Sequence, residues 1–110
     1  MQIISFPVEK FSIQLFSVDN KGVRTRWGDR IIHVYSGGKK VAQAVFGQDG
    51  EKVPEPYFKD GMIHYFAYYD QYESVKSLLE GKKKVFIAWK PVHDSKEKPD
   101  GDAFFYTEKD

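Results

Sequence analysis

The sequence contains no cysteine. That excludes disulfide scaffolds, thiol catalysis, cysteine-based zinc sites and iron–sulfur ligation. It fits a reducing compartment, and a cytoplasmic location is expected. An excess of one charge is missing too. There are 17 Lys and Arg against 16 Asp and Glu, a net charge of +1. A protein that binds polyanions through its bulk charge is normally strongly basic, so the total lends nucleic acid no support. No apolar run approaches the ~18 residues needed to span a bilayer, and no membrane partner is expected. The opening Met1-Gln2-Ile3-Ile4-Ser5-Phe6-Pro7 has neither a basic region nor a long apolar stretch, so a secretory leader is not expected either. Internal repeats, low-complexity segments and interdomain linkers are absent.

Aromatic side chains are what the chain has in quantity: 9 Phe, 7 Tyr and 2 Trp. Such a chain has ample surface to bury, which argues against disorder. At 110 residues it reads as a single domain over 1–110, large enough to fold on a core alone. Tyr65, Phe66, Tyr68, Tyr69 and Tyr72 crowd into one short stretch, so the aromatic excess marks a place.

Hydrophobic periodicity assigns the elements. Phe11, Ile13 and Leu15 alternate with Ser12 and Gln14, the pattern of a half-buried strand. Asp19-Asn20-Lys21-Gly22 is turn chemistry. The β-rich runs 30–35 and 40–46 flank Ser36-Gly37-Gly38-Lys39, the clearest hairpin signal in the chain. Gly47, Gly50, Pro54, Pro56 and Gly61 break the segment 47–61, a loop with room for one short irregular strand. Residues 62–69 are apolar or aromatic throughout and belong in the middle of a sheet. Asp70 with Glu73 reads as an N-cap and its capping-box partner. Tyr72, Val75, Leu78 and Leu79 then recur at helical spacing, with Gly81 as the stop. Strands follow at 84–89, ended by Pro91, and at 103–107, with a polar loop between them.

The expected fold is α+β: a curved, largely antiparallel sheet of about six strands with one amphipathic helix, about 71–80, packed on one face. Whether 62–89 forms a parallel crossover is left open by the sequence.

Candidate sites follow from two features. The first is the strand 62–69. Met62, His64, Phe66 and Tyr68 share one face; Ile63, Tyr65, Ala67 and Tyr69 share the other. A single helix can cover only one of these sets. The aromatic group Tyr57, His64, Tyr65, Phe66, Tyr68 and Tyr69 is therefore core, homodimer interface or ligand surface, and tyrosine suits all three. The second feature is local charge. Arg24, Arg26, Trp27 and Arg30 form one cluster, Lys39 and Lys40 sit at the hairpin, and Lys82, Lys83 and Lys84 follow the helix. Arginine and lysine on phosphates with Trp27 stacking on bases would make a single-stranded nucleic-acid surface. Solvated turns and lysines that protect sheet edges explain the same residues.

Chemistry-bearing motifs are scarce. His33, His64 and His93 lack metal-ligand spacing. His93-Asp94 is an acid/base pair with no nucleophile signature beside it. The acids of 94–102 lack the spacing of a calcium loop. Ser36-Gly37-Gly38-Lys39-Lys40 leads into a strand, so it is not a phosphate loop. No catalytic residue, metal or cofactor is assigned. The leading expectation is a small non-catalytic protein that acts by association, as a homodimer or by holding a protein partner or small ligand on an aromatic sheet surface. Single-stranded nucleic-acid binding is the alternative. A small enzyme using His64 or His33 with nearby tyrosines, in a pocket under the 47–61 loop, is a third.

Overall fold

Gly37 and Gly38 both take positive φ, +61° and +80°, and close the expected two-residue hairpin between Ser36 and Lys39. The structure is a computed structural model that describes residues 3–16, 27–48, 50, 52–93 and 100–108. The expected turn at 19–22 and most of the polar loop after residue 93 lie outside the described residues.

Eight strands and one helix are described. They run β1 (Ile4–Pro7), β2 (Lys10–Leu15), β3 (Arg30–Ser36), β4 (Lys39–Gly47), β5 (Tyr57–Lys59), β6 (Met62–Tyr68), α1 (Tyr69–Glu80), β7 (Val85–His93) and β8 (Asp100–Thr107). The single six-stranded sheet is corrected to two sheets. One has five strands in the order β2-β3-β4-β6-β5, and the other has three in the order β1-β7-β8. The domain is thus α+β with sheet predominating. The pairing is largely antiparallel as expected, since five of the six strand pairings are antiparallel. The exception joins β4 to β6 in parallel. β6 enters between β4 and β5, because β5 takes the outer edge and turns back through Asp60-Gly61. Both turn residues have positive φ, 54° and 76°. β6 and β7 belong to different sheets, so 62–89 is no crossover within one sheet.

The division into two sheets solves a covering problem. On the inner face of the five-stranded sheet, register places Phe11, Ile13, Ile32, Val34, Ala42, Ala44, Phe46, Ile63, Tyr65 and Ala67 side by side. One helix is too narrow to cover five strands. α1 covers part with Tyr72, Val75 and Leu79, and the three-stranded sheet covers the rest with Ile87, Trp89 and Phe105. Phe46 is fully buried at the junction, with Tyr72 edge-on at 5.2 Å and Tyr65 at 6.1 Å.

Several local expectations are corrected. The helix begins at Tyr69, with Tyr68 as N-cap and no side-chain cap bond, because β6 runs into it without a loop. Asp70 lies in the first turn, where its charge complements the helix dipole. Gly81 follows the helix in an extended conformation (φ −73°, ψ 174°), not a left-handed one. Pro91 does not end β7; it pairs with Gly101 of β8 beside a register shift. Proline is tolerated there because β1 reaches only as far as Trp89, so the other side of β7 needs no donor.

Candidate functional site: the outer face of the five-stranded sheet

Strand alternation sends a second set of side chains to the outer face, away from α1 and the three-stranded sheet. Register aligns them in rows that cross the strands. One row is Ser12, His33, Gln43, His64 and Tyr57, with one residue from each of the five strands. Beside it lie Gln14, Ile31, Val45 and Phe66. On the other side, Lys10 pairs with Tyr35 and Tyr35 with Lys40, while Lys59 pairs with Met62.

The rows are tied together. His33 donates from Nε2 to Gln14 Oε1 at 2.9 Å, and Lys40 Nζ donates to Gln43 Oε1 at 2.9 Å. Tyr57 stacks on His64, and Phe66 lies 6.0 Å from Tyr57 and 6.1 Å from Trp27. The Trp27 indole lies directly over Gly47. A β-carbon at Gly47 would come within 2.6 Å of the indole ring, so only glycine admits it. Among the described residues, His64 Nδ1 and Trp27 Nε1 are buried without a hydrogen-bond partner. Such orphaned groups are costly in a fold unless something else meets them.

The electrostatics of this face are one-sided. Its outward strand positions carry Lys10, Lys40, Lys59 and two histidines, and no carboxylate. Burial, then the charge of Lys40, holds His33 below the ordinary imidazole value. Burial does the same for His64, reinforced by Lys40 and Lys59 and opposed by Asp60 in the hairpin turn. Burial also lowers the Lys40 ammonium, against a smaller opposing effect of Tyr35. A cleft of about 380 Å³ lies at the hairpin end, lined by Glu9, Lys10, Tyr35, Ser36 and Gly38. Glu9 is already engaged there, accepting from Ser36 Oγ and from the Gly37 amide.

The structure sorts the expected site residues. Tyr57, His64, Phe66, Tyr68 and Trp27 come together on the outer face. Tyr65 and Tyr69 do not. Tyr65 packs inward against Phe46 and Phe105, and burial pushes its hydroxyl up. Tyr69 hydrogen-bonds Asp29 at the start of α1. The basic residues disperse. Arg30 lies on the inner side, over the rings of Tyr69 at 4.4 Å and Tyr72 at 5.0 Å. Lys39 is exposed at the hairpin tip. Lys82, Lys83 and Lys84 follow α1, and Lys84 lies over Phe86 of the three-stranded sheet. Of the expected basic residues that are described, only Lys40 joins Trp27 on the outer face. Arg24, Arg26, Asp94 and the side chain of His93 lie outside the described residues.

Lys10, Tyr35, Gln43 and Lys59 complete the face without having been expected as site residues, and His33, expected only as an acid/base candidate, stands among them. Lys10 was legible from the alternation of β2. Gln43 was not. A regular two-residue hairpin puts His33 opposite Ala42, but a bulge at Val34/Tyr35 brings it opposite Gln43. A second, mostly apolar cavity of about 260 Å³ lies between α1 and β8, lined by Tyr65, Val75, Leu78 and Phe105 among others. Among the described residues there is no group of three or more metal-capable side chains, and no helix is long and apolar enough to cross a membrane. No protein family, curated protein or solved structure matches the chain.

Proposed function

We propose that the chain is a non-catalytic binding domain that works by association and takes its partner on the outer face of the five-stranded sheet. The observation that carries this reading is the group of rings on the outer face, an exposed Tyr57 stacked on a half-buried His64 with Phe66 in the adjoining row and Trp27 over one end. Stacked rings on an open sheet favour a partner with planar groups. Three lysines on the outward strand positions, with Glu9 and Asp60 only at the margin of the face, favour an anionic one. His64 and His33 are separated by Gln43, roughly 10 Å across two strand spacings. They are no acid/base pair, and Tyr57 meets His64 by its ring face instead of its hydroxyl.

The test is an amide chemical-shift titration with pyrene sulfonate, a planar anion, against polyglutamate, an anion without rings. Pyrene sulfonate is expected to move amides of β3, β4 and β6 around His33, Gln43 and His64. Shifts confined to the α1–β8 cavity, or none at all, would overturn the reading.

Self-association is the second reading, and β8 favours it. This strand is eight residues long and forms an edge of the three-stranded sheet, with Tyr106 exposed. Free edges of that length pair readily with a second copy. Light scattering at high micromolar concentration decides between monomer and dimer. The outer face supports a homodimer less well, because a two-fold axis through it would set its lysines against their own copies.

A further inference from the structure

We infer that the outer face binds single-stranded nucleic acid, with phosphates along the row Lys10, Lys40, Lys59 and bases stacked on Tyr57, Phe66 and Trp27. This rests on the proposed binding role of that face and names its occupant.

The first argument is charge geometry. Lys10, Lys40 and Lys59 stand on β2, β4 and β5, and β2 and β5 are the two edges of the sheet. Four strand spacings of about 4.8 Å separate them, so the charged row is roughly 19 Å long. One phosphate group cannot meet all three ammonium groups. A backbone with a phosphate at every unit can, if it crosses the strands. The second argument is what lies beside the row. Tyr57 and His64 occupy the next row, and Phe66 the one after it, with Trp27 6.1 Å from Phe66. A strand whose phosphates follow the lysines therefore lays the bases at its β5–β6 end over rings, and a ring face accepts any base. Tyr57 is 39% exposed, so part of its ring is available.

The third argument concerns polarity. Gln43 and Gln14 put amide groups on the outer face; their oxygens accept from Lys40 and His33, which leaves their NH2 groups as donors for base edges. An apolar protein surface would leave those donors unpaired. A duplex does not fit the arrangement, because its bases are stacked inside and unavailable to Tyr57.

The experiment measures fluorescence anisotropy of labelled single strands of about 12 nucleotides, a length within the usual range for one small domain. An oligo-dT and an oligo-rU are compared with a duplex of equal length at low salt. Single strands are expected to bind and the duplex to bind much more weakly. Affinity should fall with salt, and Lys40→Gln should reduce the slope of that fall by about one unit. Tyr57→Ala should weaken binding about 5- to 150-fold, the loss of one stacked base, while Tyr57→Phe retains affinity. Lys83→Gln, outside this face, should change nothing. Circular dichroism confirms that each variant is folded. Absence of binding at low salt overturns the inference, as does equal binding of duplex, or binding that ignores Tyr57→Ala and Lys40→Gln. If oligonucleotides fail while pyrene sulfonate still moves the outer-face amides, the occupant is wrong and the face remains a binding surface. If both fail, the binding role itself falls.

Discussion

Tyr57 lies flat on the imidazole of His64, with ring centroids 4.1 Å apart and planes inclined by 14°. The two residues face each other because β5 turns back on β6 through Asp60-Gly61 and pairs Tyr57 with His64. The stack anchors the edge strand, which has only three residues, and it fixes the ring that the outer face presents. Tyr57→Ala is expected to lower stability by about 1 kcal/mol, the usual scale for a ring pair. Tyr57→Phe should lower it by less. Urea unfolding of the three proteins checks this, and equal midpoints would show that the stack contributes nothing.

Acid should weaken the fold through its histidines. His33 and His64 are both held below their ordinary value of 6.5 in the folded chain. The unfolded chain therefore binds protons that the folded one does not. Stability is fully present above the unfolded value and declines as pH falls through it toward the folded values. The urea midpoint should drop between about pH 7.5 and about pH 5.5, and the double variant His33→Gln, His64→Gln should lose most of that drop. Affinity for an oligonucleotide should move in the opposite direction, rising as the imidazoles add positive charge to the face that meets the polyanion. A midpoint that rises on acidification would contradict the assignment.

Arg30 offers a way to separate structure from binding. Its guanidinium covers the rings of Tyr69 and Tyr72 and approaches Asp29 at 4.0 Å, so it ties β3 to the start of α1. Arg30→Met is expected to cost about 1–2 kcal/mol of stability, in line with partly desolvated cation–π contacts. Oligonucleotide affinity of the folded variant should be unchanged. A large loss of affinity with intact stability would place Arg30 at the binding surface after all.

Gly47 holds the roof of the outer face. Gly47→Ala puts a methyl group where the Trp27 ring lies, and the indole must move aside. The expected cost is about 1–3 kcal/mol, typical of overpacking at a close contact. Iodide should then quench more of the tryptophan emission. Trp89, only 4% exposed in the core, stays protected and serves as the internal reference. Unchanged quenching would mean that the indole does not lie over Gly47 in solution.

Much of the fold could be read from the chain because local chemistry decides it. The Gly37-Gly38 turn, the alternation of β2 and the helical stripe of Tyr72, Val75 and Leu79 all appear where the sequence places them. β5 is legible only as a short irregular strand somewhere in 47–61, because proline and glycine dominate its approach, although Asp60-Gly61 is itself a strong hairpin signal. β1 escaped because four residues ending in proline carry almost no periodic pattern. The candidate site was half legible. Tyr57, His64, Phe66, Tyr68 and Trp27 were named as candidates, but Tyr65 and Tyr69 stood in the same group, and neighbouring residues on one strand point to opposite faces.

The sequence by itself determined that aromatic excess sits on a strand with two apolar faces and that one helix cannot cover both. Those are consequences of composition and of the two-residue period of a strand. Only the tertiary structure decided which face is covered. The first and last strands joined β7 to form a second sheet, and that sheet and α1 both packed on the side of Ile63, Tyr65 and Ala67. The bulge between Val34 and Tyr35 then placed Gln43 between the two histidines. Strand partners and bulges are settled by contacts between residues far apart in the chain, where burial outweighs any local preference. That is why the lysine row and the stacked rings become a single surface only after the chain has folded.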